Sequence, residues 1–157
     1  MARFATGVTV LTAGGEHSHG MTANAFTSLS LDPPLVLCCV ARTASMHDRI
    51  AGAGAFAVNI LAADQRQLAR YFADKQRPRG AAQFEPVAHR PGPHTGAPVL
   101  DGALAWVECR LARTHDGGDH SIFVGEVLAS GRGPGTRALS FFGGDYHELG
   151  EPRRASA

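Results

Sequence analysis

Residues 19–34 read HGMTANAFTSLSLDPP, and residues 35–41 continue as LVLCCVA. The second piece is a continuous apolar run after Asp32-Pro33-Pro34, the pattern of a buried strand entered from a turn. The first piece is different. Thr22, Asn24, Thr27, Ser28 and Ser30 set small polar groups beside the small Ala23 and Ala25. A strand so built leaves its backbone N–H and C=O groups uncovered, because no large side chain shields them. It is either a polar edge strand closing on an Asp-Pro-Pro turn, or one wall of a site for a flat ligand with alternating donors and acceptors. Composition alone favours the edge strand.

Outward from this stretch the chain reads as short strands. Residues 7–13 (GVTVLTA) are rich in β-branched side chains and end at Gly14-Gly15, so residues 19–25 return as a hairpin partner. Thr43-Ala44-Ser45 offers an N-cap for a short helix to Ala51, with Asp48 in its early turns and Gly52 and Gly54 ending it. Residues 56–61 (FAVNIL) form another strand. Asp64 caps a helix over 65–72, with Leu68, Tyr71 and Phe72 on one face. Residues 75–95 hold four of the nine prolines and read as a long surface excursion. Residues 103–114 (ALAWVECRLART) alternate, with Leu104 and Trp106, and less cleanly Glu108 and Arg110, in one phase. A turn at Asp116-Gly117-Gly118 leads to the partner strand 121–128. Six or seven strands, two short helices, hairpin links and no βαβ rhythm predict a closed antiparallel β-barrel, mainly β with a few short helices. Residues 1–150 form one domain and the polar residues 151–157 a disordered tail.

Composition narrows the function. The chain has 157 residues, 44% of them hydrophobic, and a formal net charge of +1. That balance gives no field for nucleic acid or an anionic membrane. No apolar run approaches the roughly 20 residues of a membrane helix, and the N-terminus lacks a secretory pattern, so a cytoplasmic protein is expected. Cys38, Cys39 and Cys109 read as buried thiols of a reducing compartment. No metal is expected: His17/His19 and His115/His120 lack the helical spacing of a metalloprotease, and no Cys-x-x-Cys occurs. GxGxxG, the phosphate-binding P-loop and the Gly-x-Ser-x-Gly elbow are all missing. Ser45 at a helix start is a candidate phosphate ligand, flanked by Arg42 and Arg49, or a plain N-cap. His120, after Asp119 at a strand entrance, can point into a cleft or be solvated.

The order of motifs says more than any one of them. RFATGVTVLTA (3–13), residues 19–41, a helix at 45–50, FAVNIL followed by Gln65 and Leu68, then Phe84, Pro98-Val99-Leu100, GDHSIFVGEV (118–127) and FFGGDYHEL (141–149) together resemble the flavin reductase-like family. These are the small reductase components of two-component flavin-dependent monooxygenases. The resemblance runs from Arg3 to Leu149. It implies an FMN-binding split β-barrel working as a homodimer, in which NADH or NADPH reduces FMN or FAD and the reduced flavin leaves for a partner monooxygenase. It implies that Thr22, Ala23, Asn24 and Ala25 line the isoalloxazine, and that Thr27 and Ser28 reach the ribityl chain or phosphate. Val40, Ala41 and Ser45 would complete that side. Arg79 would serve the anionic end, Phe84 would cover part of the flavin, and His120 would face the nicotinamide. Tyr146 would lie near the same cleft, from this chain or its partner. A flavin-retaining carrier or a non-catalytic flavin-binding protein on the same barrel is the alternative. Family members usually carry a further, often helical, segment before Arg-Phe-Ala-Thr-Gly; either that helix is missing or the start site is misplaced, and the expectation extends to the barrel chemistry more firmly than to dimer packing.

Overall fold

The computed structural model describes residues 3–150, so the tail at 151–157 lies outside the described residues. Thr6–Gly7 (β1) and Thr9–Ala13 (β2) come first, then His19–Ala23 (β3), Phe26–Leu31 (β4) and Pro34–Ala41 (β5). Ser45–Ala53 is the first helix (α1), Ala55–Ile60 is β6 and Arg66–Ala73 the second helix (α2). Within the proline-rich excursion and just after it, His89–Pro91 (β7) pairs with Pro98–Leu100 (β8). Two long strands, Ala105–Gly117 (β9) and His120–Arg132 (β10), precede Leu139–Phe142 (β11) and Asp145–Glu148 (β12).

Seven strands make one sheet in the order β3-β2-β6-β9-β10-β5-β4, antiparallel throughout. The predicted strand number and antiparallel pairing hold, but the predicted closure does not: among the described residues no ladder joins β3 to β4. These are the first and last strands of the order, yet only Asn24 and Ala25 separate them in the chain. The chain leaves its pairing with β2 at Ala23↔Thr9 and takes up pairing with β5 at Phe26↔Cys38. Two residues of backbone therefore link the sheet's edges where a barrel would have hydrogen bonds. β1, β11 and β12 form a separate small sheet.

Two apolar clusters hold this frame. One gathers Leu11, Cys38, Val40, Met46, Ile50, Phe56 and Phe123; the other gathers Val8, Val10, Leu61, Phe72, Phe84 and Leu139. β2 feeds both, which is why its apolar and β-branched run is buried along its length. β5, expected to be buried throughout, alternates instead. Val36, Cys38 and Val40 point inward, while Leu35, Leu37 and Cys39 stay half-buried because nothing fully covers that face.

Three local expectations shift. Ala44, with no side-chain acceptor, occupies the cap of α1; Gly52 lies inside the last turn and only Gly54, at φ +63°, ends the helix. Asp64 does not cap α2; Gln65 Oε1 accepts the Ala62 N–H at 3.0 Å. The long hairpin turns on Gly118-Asp119, with Gly118 at φ +79°, because β9 continues to Gly117. Glu108 is fully buried on β9, its Oε1 accepting the Thr95 N–H (2.8 Å) and hydroxyl (2.7 Å) from the loop beside it.

Candidate active site

The bend at Asn24-Ala25 joins two differently built surfaces. On the β3 side, polar groups are already engaged. Gly20 donates its N–H to Gln83 Oε1 at 2.8 Å, and Arg77 donates to the Gly20 carbonyl. Thr22 Oγ1 donates to the Ala69 carbonyl of α2 at 2.6 Å, and Asn24 Nδ2 donates to Thr6 Oγ1 at 3.1 Å. A Cβ on Gly20 would meet the Phe72 ring at 2.5 Å, so only glycine lets α2 approach this closely. A pocket of about 200 Å³ opens here, lined by Val8, Thr22, Ala23, Asn24, Ala73, Phe141 and Tyr146. Phe141 and Tyr146 meet edge-on at 5.4 Å across the β11–β12 pair. Burial raises the Tyr146 phenol above its usual range. Tyr146 reaches this pocket from the same chain.

On the other side the bend borders β5. Cys39 donates its N–H to the Ala25 carbonyl at 3.0 Å, and His120 pairs with Ala41. Ala25, beside Cys39, and His120, opposite Ala41, thus flank the end of β5, two strand spacings across and two residues along, about 12 Å apart. His120 Nδ1 lies 2.8 Å from Asp119 Oδ1, and this contact holds the exposed Asp119 carboxyl below its usual range. Arg42 donates its N–H to the Asp119 carbonyl at 3.0 Å and its guanidinium lies 2.7 Å from Asp116. The Gly118 N–H, then Arg42, depress the Asp116 carboxyl. Ser45, exposed at the first helical position, follows Ala41 by one loop. Val40 is only 1% exposed, its side chain committed to the core, so only its backbone borders this corner.

The structure separates other expected partners. Ser28 pairs with Val36 and Thr27 with Leu37, so Ser28 lies five residues along β5 from Ala41, about 16 Å away. Phe84 is 3% exposed and packs on Phe72 at 5.5 Å and His89 at 5.3 Å. Its ring is core and has no face left to cover a ligand. Arg79 sits with Arg77 and Arg49 around His19, at the far end of β3, about 13 Å from Ala23. Burial first, then these three arginines, lower the His19 pKa to about 4. Among the described residues none of the three is ion-paired with a carboxylate. Cys38 and Cys109 are buried thiols pushed up to about 12, hence inert.

Sequence reasoning missed Gln83, which pins the excursion to β3, and His47, whose Nε2 lies 2.9 Å from Ser121 Oγ. Neither sits in a recognisable pattern. Phe141 was within reach, as part of FFGGDYHEL.

The flavin reductase like domain matches residues 1–150. This chain belongs to the flavin reductase-like family. It is 50% identical over 146 residues to an NADH-dependent FAD reductase of Streptomyces globisporus, covering 93% of this chain and 80% of that protein. BorF, the flavin reductase component of a bacterial two-component tryptophan halogenase, superposes with a TM-score of 0.92 at 49% identity, covering 96% of this chain and 94% of that one. SgcE6, an NADH:FAD oxidoreductase of Streptomyces globisporus C-1027 solved with NAD and FAD fragments, gives 0.91 at 44% identity, with 98% and 90% covered. These superpositions show that this chain shares its fold with both reductases.

Proposed function

We propose that this chain is a cytoplasmic, homodimeric flavin reductase that uses NADH or NADPH to reduce FMN or FAD and releases the reduced flavin to a partner monooxygenase. One observation carries the reading: strand register brings the Asn24-Ala25 bend and His120 to opposite sides of the Ala41 end of β5. Flavin and nicotinamide, when bound, supply the hydride chemistry themselves. The chain's task is to hold two flat rings in contact, at about 3–3.5 Å. Small Ala23 and Ala25 leave room for a ring and bare backbone for its polar edge. Asp119 holds Nδ1 of His120, which leaves Nε2 for the nicotinamide. Ser45 at the start of α1 and the unneutralised Arg49, Arg77 and Arg79 suit the phosphate end.

Fit to the flavin is partial within one chain. The pocket of about 200 Å³ falls below the roughly 300–1,000 Å³ of ligand clefts, which supports a second copy completing it. Leu29 and Leu31 of β4 are 48% and 90% exposed, beside an open groove with Pro33, Leu35 and Val124 on the sheet's outer face. Such apolar surface supports an interface in this region. The closed split barrel of the family would then be a property of the assembled curl.

The test is His120→Ala. Turnover with NADH drops about tenfold while flavin affinity and melting temperature stay put. Unchanged kcat and nicotinamide KM would remove His120 from the site. Anaerobic bleaching of flavin absorbance by NADH or NADPH tests the reaction itself, and no bleaching with either would sink it. A steady-state matrix of both nicotinamides against riboflavin, FMN and FAD fixes the substrates, and gel filtration after reduction shows whether flavin is released.

A further inference from the structure

We propose that His47 is a positioning residue: its hydrogen bond to Ser121 sets His120 relative to the start of α1. This rests on the reading of His120 above. His47 lies in the first turn of α1, two residues after Ser45. Its Nε2 is 2.9 Å from Ser121 Oγ, and its ring meets Phe123 edge-on at 5.1 Å. Phe123 is fully buried and Ser121 is 4% exposed, so this contact lies beneath the sheet's corner. Ser121 directly follows His120 on β10, and neighbouring side chains on a strand point to opposite faces. His120 is the outward member of a pair whose inward member is bonded to α1.

A second tether comes from Arg42, through its bonds to the Asp119 carbonyl and the Asp116 carboxylate. Residues 42–47 therefore grip the hairpin tip at three points and enclose Ser45 between them. Whatever docks at Ser45 and whatever meets His120 are held in one frame. The two tethers are unequal. The Arg42–Asp116 pair has side chains 48% and 77% exposed, so water screens it. The His47–Ser121 bond is shielded, and a buried hydroxyl left without its partner is the more expensive loss. Rate is steeply sensitive to misplacement of reacting groups, about 10²-fold for 1 Å. His47 points inward to Ser121 and Phe123, so it acts through His120 and not on substrate.

The experiment compares His47→Phe, His47→Gln, Ser121→Ala and His120→Ala in the full chain. Phenylalanine keeps the packing on Phe123 and deletes the bond. It lowers kcat with NADH about fivefold, the kinetic equivalent of one hydrogen bond, while flavin Kd from fluorescence quenching stays within about twofold. Ser121→Ala reproduces this, and the double variant is no worse than either single one. Glutamine restores at least half of the lost kcat. Amide exchange at residues 118–121 quickens in the phenylalanine and alanine variants and slows again with glutamine. If His120→Ala loses turnover but His47→Phe does not, the inference is wrong and the site reading stands. A fall in kcat that tracks lost flavin affinity and lost thermal stability, with no rescue by glutamine, also overturns it. If His120→Ala itself keeps full turnover, the site reading fails and this inference goes with it.

Discussion

β3 and β4 are two arms of one stretch, with Thr22 the small polar side chain of the first and Thr27, Ser28 and Ser30 those of the second, and the fold treats them oppositely. On β3, Gly20, Thr22 and the adjoining Asn24 are all bonded to other elements. On β4, Thr27 Oγ1 bonds only the neighbouring Ser28 carbonyl at 3.2 Å, Ser28 and Leu29 are exposed, and the ladder is bulged between Ser28 and Ser30. Both arms carry small polar side chains; what differs is whether a helix and an excursion arrive to cover the arm. Small polar residues on a strand therefore mark a surface that can be approached. The approaching group is as readily another part of the chain as a ligand.

Four measurements test that contrast. The largest effect belongs to Gly20→Ala, whose methyl collides with Phe72; urea denaturation should show a loss of about 3 kcal/mol. Next is a pH effect at the far end of β3. The folded His19 pKa is lowered to about 4 against an ordinary 6.5, so the unfolded chain takes up its proton first as pH falls. This contribution is intact above pH 6.5 and is lost towards pH 4. It amounts to about 2 kcal/mol after allowance for the screening of a half-buried group. His19→Asn should flatten the stability profile across that window. Thr22→Val deletes the bond to α2 and should destabilise by about 1 kcal/mol. On the other arm, Thr27→Val and Ser28→Ala should stay within about 0.5 kcal/mol. If Thr22 and Thr27 variants melted together, the distinction between the arms would collapse.

Local chemistry was legible and long-range chemistry was not. β-branched runs and Gly or Pro breaks located β2, β5, β6, β9 and β10, because period and turn residues act over a few positions. The order of motifs singled out the bend, Ser45, His120 and Tyr146, of which Tyr146 lines one pocket with Thr22, Ala23 and Asn24. What escaped depends on who arrives from elsewhere. Phe84 belongs to a stretch that reads as a surface excursion, and the resemblance set it over the flavin, yet the excursion folds back and buries it on Phe72. Ser28 and Ser45 both look like phosphate ligands, but only register shows Ser28 about 16 Å along β5 from Ala41, where the loop to Ser45 begins. Gln83 and His47 bond partners 63 and 74 residues away, a relation no local pattern encodes.

The two-residue link between the sheet's edges has a consequence for self-association. A strand at a sheet edge is a template on which another chain can add. Because Asn24-Ala25 makes the two edges successive pieces of one segment, their exposure is decided together. The β3 edge is blocked: the outward N–H and C=O of Gly20 are taken by Gln83 and Arg77, much as a neighbouring strand would take them. Growth of the seven-stranded sheet by strand addition thereby falls to β4, where the bulge between Ser28 and Ser30 interrupts the regular ladder a visiting strand would have to match.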